Sequence, residues 1–427
     1  LEIKMSFKFK MDRNKRIIKI KPILNRFNIS KTVSSIYEIL NRYEENFQIF
    51  IWGVPYCYFP DAFDHIIYKK RKSKNYVKIS ECSLCRLNKI CPGIEKGSVF
   101  NDGLKILKPV LSVPNEIVFE VSNKCLLDCE MCVKKNKKDG LKVKTIFKAI
   151  DRAADIGVKN IRFTGGEPLI YPQIADLVKY SKNKGFYTII NSSLLCDRSF
   201  IKEIGSFIDD ILVSVHGFDE ESEFEITKKR FFKKKILNIN YAIKNIKRVR
   251  IGSVITKKLI DNFEKYLIAL PSGIKVWELY RPMVGKNFLI SKPEFDLNIE
   301  DYKKLLTKIK KSKSGYKICI ANPIPFCAFR PEERNFLLGG VFDDGYTRII
   351  MDSKGYFKPS YYININLGTE ISESWDNNLL KSITWERKMS ERCDRCLWFL
   401  KCLGGSRYAS YEKYGSYKSE DPLIKKL

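Results

Sequence analysis

The sequence predicts an α/β protein built from parallel βαβ units, with a small cysteine-rich module on either side. Three observations carry that prediction. Short apolar runs alternate with amphipathic helical runs from Glu116 to Tyr280. Three cysteines spaced C-x3-C-x2-C (Cys125, Cys129 and Cys132) stand just past the first of those runs. A C-x2-C-x5-C array occurs twice, once before the alternating region and once after it.

In chain order, residues 1–105 read as an amino-terminal cysteine-rich module, 112–310 as the βα core and 311–427 as a second cysteine-rich module. The apolar, β-branched runs Glu116–Val121, Asn160–Phe163, Tyr187–Asn191, Asp210–Val215, Arg250–Ile255 and Lys275–Tyr280 read as strands. Helical periodicity falls between them, for example over Thr145–Ile156, Pro172–Lys184 and Phe232–Lys247. Strands separated by helices run parallel, joined by right-handed crossovers. The loops at their carboxyl ends are where chemistry collects.

A chain of 427 residues can bury a large core and holds two or three domains. It contains no apolar run long enough for a spanning helix. The basic opening Leu1-Glu-Ile-Lys-Met5 lacks the apolar stretch of a signal peptide, so a cytoplasmic location is expected, with Met5 a candidate start. In that compartment 13 cysteines argue for metal binding or catalysis instead of disulfides. Cys196 stands apart from the groups and reads as a small buried side chain.

Lysine and arginine number 78 against 49 acidic residues, a formal charge of +29. Such a surplus suits a polyanionic partner, RNA or an acidic peptide. A lysine-rich proteome bias is the plainer alternative, although that bias raises glutamate too. The runs Lys134–Lys138, Lys228–Arg230 and Lys233–Lys235 lack interleaved aromatics and read as solvated faces. Of the two histidines, His65 reads as an ordinary, partly exposed residue. His216, in Val213-Ser-Val-His-Gly217 at a strand end, is a candidate proton donor. No G-x-S-x-G context supports serine hydrolysis.

Three thiolates on one tight loop suit an iron–sulfur cluster with one iron left open, whereas structural zinc normally closes with a fourth ligand. Phe163-Thr-Gly-Gly-Glu-Pro168 then follows the second strand. With that pair of motifs the chain resembles the radical SAM superfamily, in which a C-x3-C-x2-C loop and a later GGEP segment recur together. The resemblance implies that the strands curl into a partial (β/α)6 TIM-type barrel. It implies that Cys125, Cys129 and Cys132 hold a [4Fe–4S] cluster whose open iron chelates S-adenosylmethionine (SAM). Reductive cleavage of SAM would then give a 5′-deoxyadenosyl radical that takes hydrogen from the substrate.

The same resemblance implies a SAM site at Gly165, Gly166, Glu167, Asn191, Ser192, Ser214, Val254 and Ile255. Gly165 and Gly166 would admit close backbone approach, and Glu167 would accept from the SAM amino group. Asn191, Ser192 and Ser214 would face ribose and carboxylate, with Val254 and Ile255 beside the adenine. Met131 replaces a residue that is commonly aromatic in the family; its thioether can still cover the adenine edge.

The flanking modules echo one another. Val54-Pro-Tyr-Cys57 precedes Cys82, Cys85 and Cys91, just as Ile324-Pro-Phe-Cys327 precedes Cys393, Cys396 and Cys402. The second module resembles the SPASM/twitch extension of radical SAM enzymes, with Ser360 and Ser406 where that pattern has cysteines of its inner cluster. That inner cluster is therefore expected to be absent, and one auxiliary [4Fe–4S] cluster is expected on Cys393, Cys396 and Cys402. Cys327 is the best fourth thiolate and Cys319 the runner-up. For Cys57, Cys82, Cys85 and Cys91, a second auxiliary cluster and an all-thiolate zinc site stay open. Family members with this extension oxidise, crosslink or epimerise residues in peptides and proteins, so a peptide or protein substrate is expected. The expected reductant is a ferredoxin or flavodoxin, and the setting is anaerobic. A small-molecule or cofactor-biosynthesis enzyme, an RNA-modifying enzyme and a non-catalytic electron carrier stay open as alternatives.

Overall fold

The computed structural model describes residues 7–14, 16–23, 29–67, 76–95, 107–132, 140–283, 293–388, 390–394 and 396–424. The run Lys134–Lys138 and the module boundary near residue 105 lie outside them.

The chain opens with β1 (Phe7–Asp12) and β2 (Ile17–Pro22), paired antiparallel, and β3 (Gln48–Ile51), paired parallel to β2. A parallel return needs a crossover, and helix Ile29–Tyr43 supplies it, burying Ile29, Thr32, Ile36 and Leu40 along one stripe. The short strands β4 (Tyr76–Val77) and β5 (Ile94–Glu95) then pair antiparallel around the first cysteine array.

The core strands are β6 (Glu116–Ser122), β7 (Asn160–Gly165), β8 (Tyr187–Ser192), β9 (Asp210–Ser214), β10 (Val249–Val254) and β11 (Val276–Tyr280). All six strands expected from the sequence are present, each within two residues of its expected ends, and neighbours pair parallel in chain order. Every residue of β6 is buried, as befits a strand covered on both faces. The sheet extends past residue 310: β12 (Lys317–Ile320) adds beyond β11, and β13 (Arg348–Met351) pairs parallel with β6, followed by antiparallel β14 (Phe357–Lys358).

The sheet curls, and its charges show it. Arg162 on β7 and Glu278 on β11 are four strands apart in the sheet order. Burial works against the charge on Glu278, yet Arg250 beside it and Arg162 across the interior hold its carboxyl below the usual range. Two groups so far apart along the sheet can interact only across a concave lumen. Apolar side chains such as Phe119, Phe163, Val213, Ile251 and Trp277 occupy the opposite face and join the main core under the helices. The architecture is thus the expected α/β partial barrel. Among the described residues no helix is long and apolar enough to cross a membrane.

Candidate active site and thiol modules

The C-x3-C-x2-C loop leaves the carboxyl end of β6 and docks on helix Glu220–Thr227, where the Asp128 and Glu130 N–H groups donate to Thr227 O and Ile226 O at 3.0 and 3.1 Å. Cys125 and Cys129 are partly buried and Cys132 is exposed, so the thiols rim an open face. The Leu127 N–H points at the Cys125 sulfur at 3.4 Å, a contact that favours thiolate over thiol. Burial, then the neighbouring Cys132, pushes the Cys129 thiol up to about 12, while Lys235 acts in the opposite direction.

Lys235 corrects the sequence reading. It belongs to a run expected to be a solvated face, yet it is fully buried and paired with the equally buried Glu223. Glu223 also accepts from the His216 and Gly217 N–H groups, each at 2.7 Å. Glu223 thereby ties the β9 exit to the helix on which the cluster loop docks, and Lys235 ties that helix to helix Phe232–Asn245. The period of helix Phe232–Asn245 offers the only sequence signal, since it turns Phe232, Lys235 and Ile239 to one side.

The GGEP segment is bound to that same loop. The Gly166 and Glu167 N–H groups donate to Ser122 O and Lys124 O at 2.6 and 2.7 Å. A Cβ on Gly165 (φ 138°) would come within 2.2 Å of Ser122 O, and one on Gly166 within 2.1 Å of Lys124 O. The glycines therefore permit a backbone-to-backbone seam between the two motifs. Glu167 is only 1 % exposed. One of its oxygens accepts from Leu169 N–H (3.0 Å) and Ser192 Oγ (2.6 Å), and the other from Ser193 N–H (2.7 Å) and the Ser193 hydroxyl. A carboxylate has about four lone-pair sites, and here the chain itself fills them.

The remaining positions divide by exposure. Gly165, Gly166, Asn191, Ser214 and Val254 are partly exposed at the strand ends. Ser192 and Ile255 are buried, Ile255 completely, within the core. Asn191 Oδ1 accepts from Arg162 at 2.8 Å, which leaves its amide nitrogen to donate. Burial holds His216 down to about 4, so the ring is neutral at physiological pH; its Nδ1 faces the Val254 N–H at 3.4 Å. A neutral, accepting imidazole is not poised as the proton donor considered from the sequence.

With the cysteine loop and the glycine loop joined at adjacent strand ends, comparison decides the family. Residues 119–267, which span both motifs, match the family described as the radical SAM superfamily. The chain carries a radical SAM domain. That domain implies a [4Fe–4S] cluster and SAM, and the exposed thiol rim with its N–H donor fits them. Among relatives, GTP 3′,8-cyclase of Clostridium botulinum is 26% identical over 274 residues, 57% of this chain and 80% of the relative. Among solved structures, Streptococcus suis SuiB bound to precursor peptide SuiA has a TM-score of 0.59 at 18% identity, covering 74% of this chain and 76% of SuiB. The anSMEcpe structure with bound AdoMet and Cp18Cys peptide has a TM-score of 0.55 at 17% identity, covering 73% and 94%. At such identities the two structures speak for fold alone.

A second thiol group brings Cys327 near Cys393, Cys396 and Cys402. Burial raises the Cys402 thiol to about 12, followed among the thiols by Cys393, Cys327 and Cys396, and the Phe326 N–H points at its sulfur at 3.4 Å. Cys319 is absent from this company: after burial, its largest influence is Glu278 in the lumen. Ser360 and Ser406 do not fit a further cluster. The Ser360 hydroxyl accepts from Tyr362 and Ile363 N–H, while that of Ser406 caps helix Arg407–Tyr414 and donates to Asp344. His65, by contrast, is tied to Ile49 O and lies 3.8 Å from Glu44. Cys196 is partly buried; its thiol is raised to about 12 by burial and then Glu167.

Proposed function

We propose that this chain is a radical SAM enzyme that modifies a peptide or protein by oxidation, crosslinking or epimerisation. Cys125, Cys129 and Cys132 would hold the SAM-binding cluster, and Cys327, Cys393, Cys396 and Cys402 one auxiliary [4Fe–4S] cluster. When bound, cluster and SAM together supply a 5′-deoxyadenosyl radical able to remove an unactivated hydrogen. The chain's own groups do the positioning. Gly165 and Gly166 set the backbone edge beside the thiol loop, with Glu167 holding that edge to β8. Asn191, Ser214 and Val254 present the accessible strand-end surface. Lys235 places a fixed positive charge near Cys129, which favours its thiolate.

The observation that carries the peptide reading is the lumen's charge. Arg162 and Arg348 both pair with Glu116, at 2.9 and 3.2 Å, and Arg250 pairs with Asp210 at 2.7 Å and with Glu278. Lys358 pairs with Glu120 at 3.2 Å. Each of these lumen cations has a carboxylate partner, which suits a substrate of low net charge better than a polyphosphate. The peptide complexes of SuiB and anSMEcpe agree with this reading, whereas GTP 3′,8-cyclase motivates a nucleotide as the competing one.

The test is 5′-deoxyadenosine release by the dithionite-reduced, anaerobically reconstituted enzyme. It would be run with small peptides encoded beside this gene, with GTP and with RNA. Stimulation by a peptide, with a mass change in that peptide, is the expected result. Stimulation by GTP or RNA alone would overturn the substrate class, and no SAM cleavage in any arm would overturn the activity.

A further inference from the structure

We propose that the amino-terminal four-thiol pocket is an iron–sulfur site, paired with the carboxy-terminal one. The sequence echo is a backbone echo as well. In the first module β3 leads into Cys57, and the chain returns so that Ile66 bridges Ile51 and the Ile67 N–H donates to Ile51 O at 2.9 Å. In the second, β12 leads into Cys327, Leu337 bridges Ile320, and the Leu338 N–H donates to Ile320 O at 2.9 Å. Inside the arrays, Cys85 N–H donates to Cys82 O at 3.2 Å and Cys396 N–H to Cys393 O at 3.1 Å. Cys91 N–H donates to Leu87 O and Cys402 N–H to Trp398 O, both at 2.8 Å. Two stretches far apart in sequence thus fold the same thiol cradle twice.

The cradle in the first module surrounds a cavity. Cys57, Cys82, Cys85 and Cys91 all line it, with Ile79 and Leu107 among the apolar walls. The Gly93 N–H points at the Cys91 sulfur at 3.4 Å; the Phe326 N–H points at Cys402 at the same distance, but from the segment of the lone cysteine. Four thiols lining one shared cavity suit a cluster, whose ligands stand around a core of several irons and sulfides.

The two cradles also touch. Trp398, between Cys396 and Cys402, packs against Phe50 of β3 at 5.1 Å and against Phe326, beside Cys327, at 5.3 Å. In return Arg86, beside Cys85, lies over Trp375 at 4.5 Å, and Lys89 pairs with Glu386 at 2.7 Å. Clusters held in these touching modules would exchange single electrons, one losing what the other gains, with no bond made or broken.

The experiment compares wild type with a Cys82→Ser/Cys85→Ser variant after anaerobic reconstitution. Iron, sulfide and zinc are counted, and the reduced proteins are examined by electron paramagnetic resonance. The variant should lose about four irons and four sulfides per chain, retain SAM cleavage, and show slower relaxation of the remaining auxiliary signal. Equal iron in both proteins, or one zinc per wild-type chain that the variant loses, would overturn the assignment. Unchanged relaxation would overturn the pairing. Should the double variant not fold, a Cys125→Ala/Cys129→Ala/Cys132→Ala protein decides the first point: about eight irons support the site and about four refute it. The metal count does not depend on the substrate, so it separates from the peptide reading.

Discussion

The two cysteine modules share a backbone skeleton but are anchored by different physics. The carboxy-terminal module is continuous with the barrel, because β12 and β13 belong to the barrel sheet. It is pinned further by Arg281, just past β11, whose guanidinium bonds both oxygens of Asp421 at 2.7 and 3.1 Å; Asp421 itself is fully buried and accepts from the Ser406 N–H at 2.8 Å. The amino-terminal module has its own three-stranded sheet and meets the rest through a shared apolar core, aromatic contacts, the hydrogen bond from Gln48 Nε2 to Arg334 O at 2.9 Å and surface ion pairs. A thiol cradle is therefore a local design that tolerates either setting, while its rigidity comes from what lies behind it.

That contrast can be broken in graded ways. Arg281→Met strands a buried Asp421, at a cost of roughly 3–5 kcal/mol; urea unfolding should register it, with opening of the carboxy-terminal module leading. Trp398→Ala removes the ring shared by the modules and should cost about 3 kcal/mol. Hydrogen exchange should then quicken in β3 and around Phe63, whereas equal quickening throughout the barrel would contradict an independently anchored module.

A pH test addresses the barrel. His216 falls from 6.5 to about 4 on folding. Below pH 6.5 the unfolded chain takes up a proton that the folded one refuses, so stability should decline as pH drops from 6.5 towards 4. His216→Gln should flatten that part of the profile, read as urea midpoints at pH 7.5 and 5.5. The smallest effect belongs to Lys89→Ala: its partner Glu386 is solvent-accessible, and the loss should stay within about 1 kcal/mol and shrink further in salt.

Much of the fold was legible because its signals are local. Apolar runs such as Ile189–Ile190 and Ile211–Val213 announce strands wherever they occur, and the helical stripes between them require parallel pairing. Thiol spacing is equally local, so the cysteine arrays and their duplication could be read without coordinates. That both motifs stand at the carboxyl ends of adjacent strands was legible too; that Gly165 and Gly166 close on Ser122 and Lys124 was not.

Other features depended on which distant surfaces meet. Lys235 is indistinguishable from Lys233 and Lys234 in sequence, and only the approach of Glu223 makes its burial tolerable. Glu167 carries a motif's carboxylate, but the arrival of Ser192 and Ser193 decides that its lone pairs are used within the chain. Ile255 follows Val254 directly, and the alternation of a strand sends the two to opposite faces, one accessible and one in the core. The pairing of β13 with β6, and the meeting of Phe50 with Trp398, join segments hundreds of residues apart. Periodicity and ligand spacing are written within a few residues; burial of a charge or of an aromatic ring is settled by the partner that covers it.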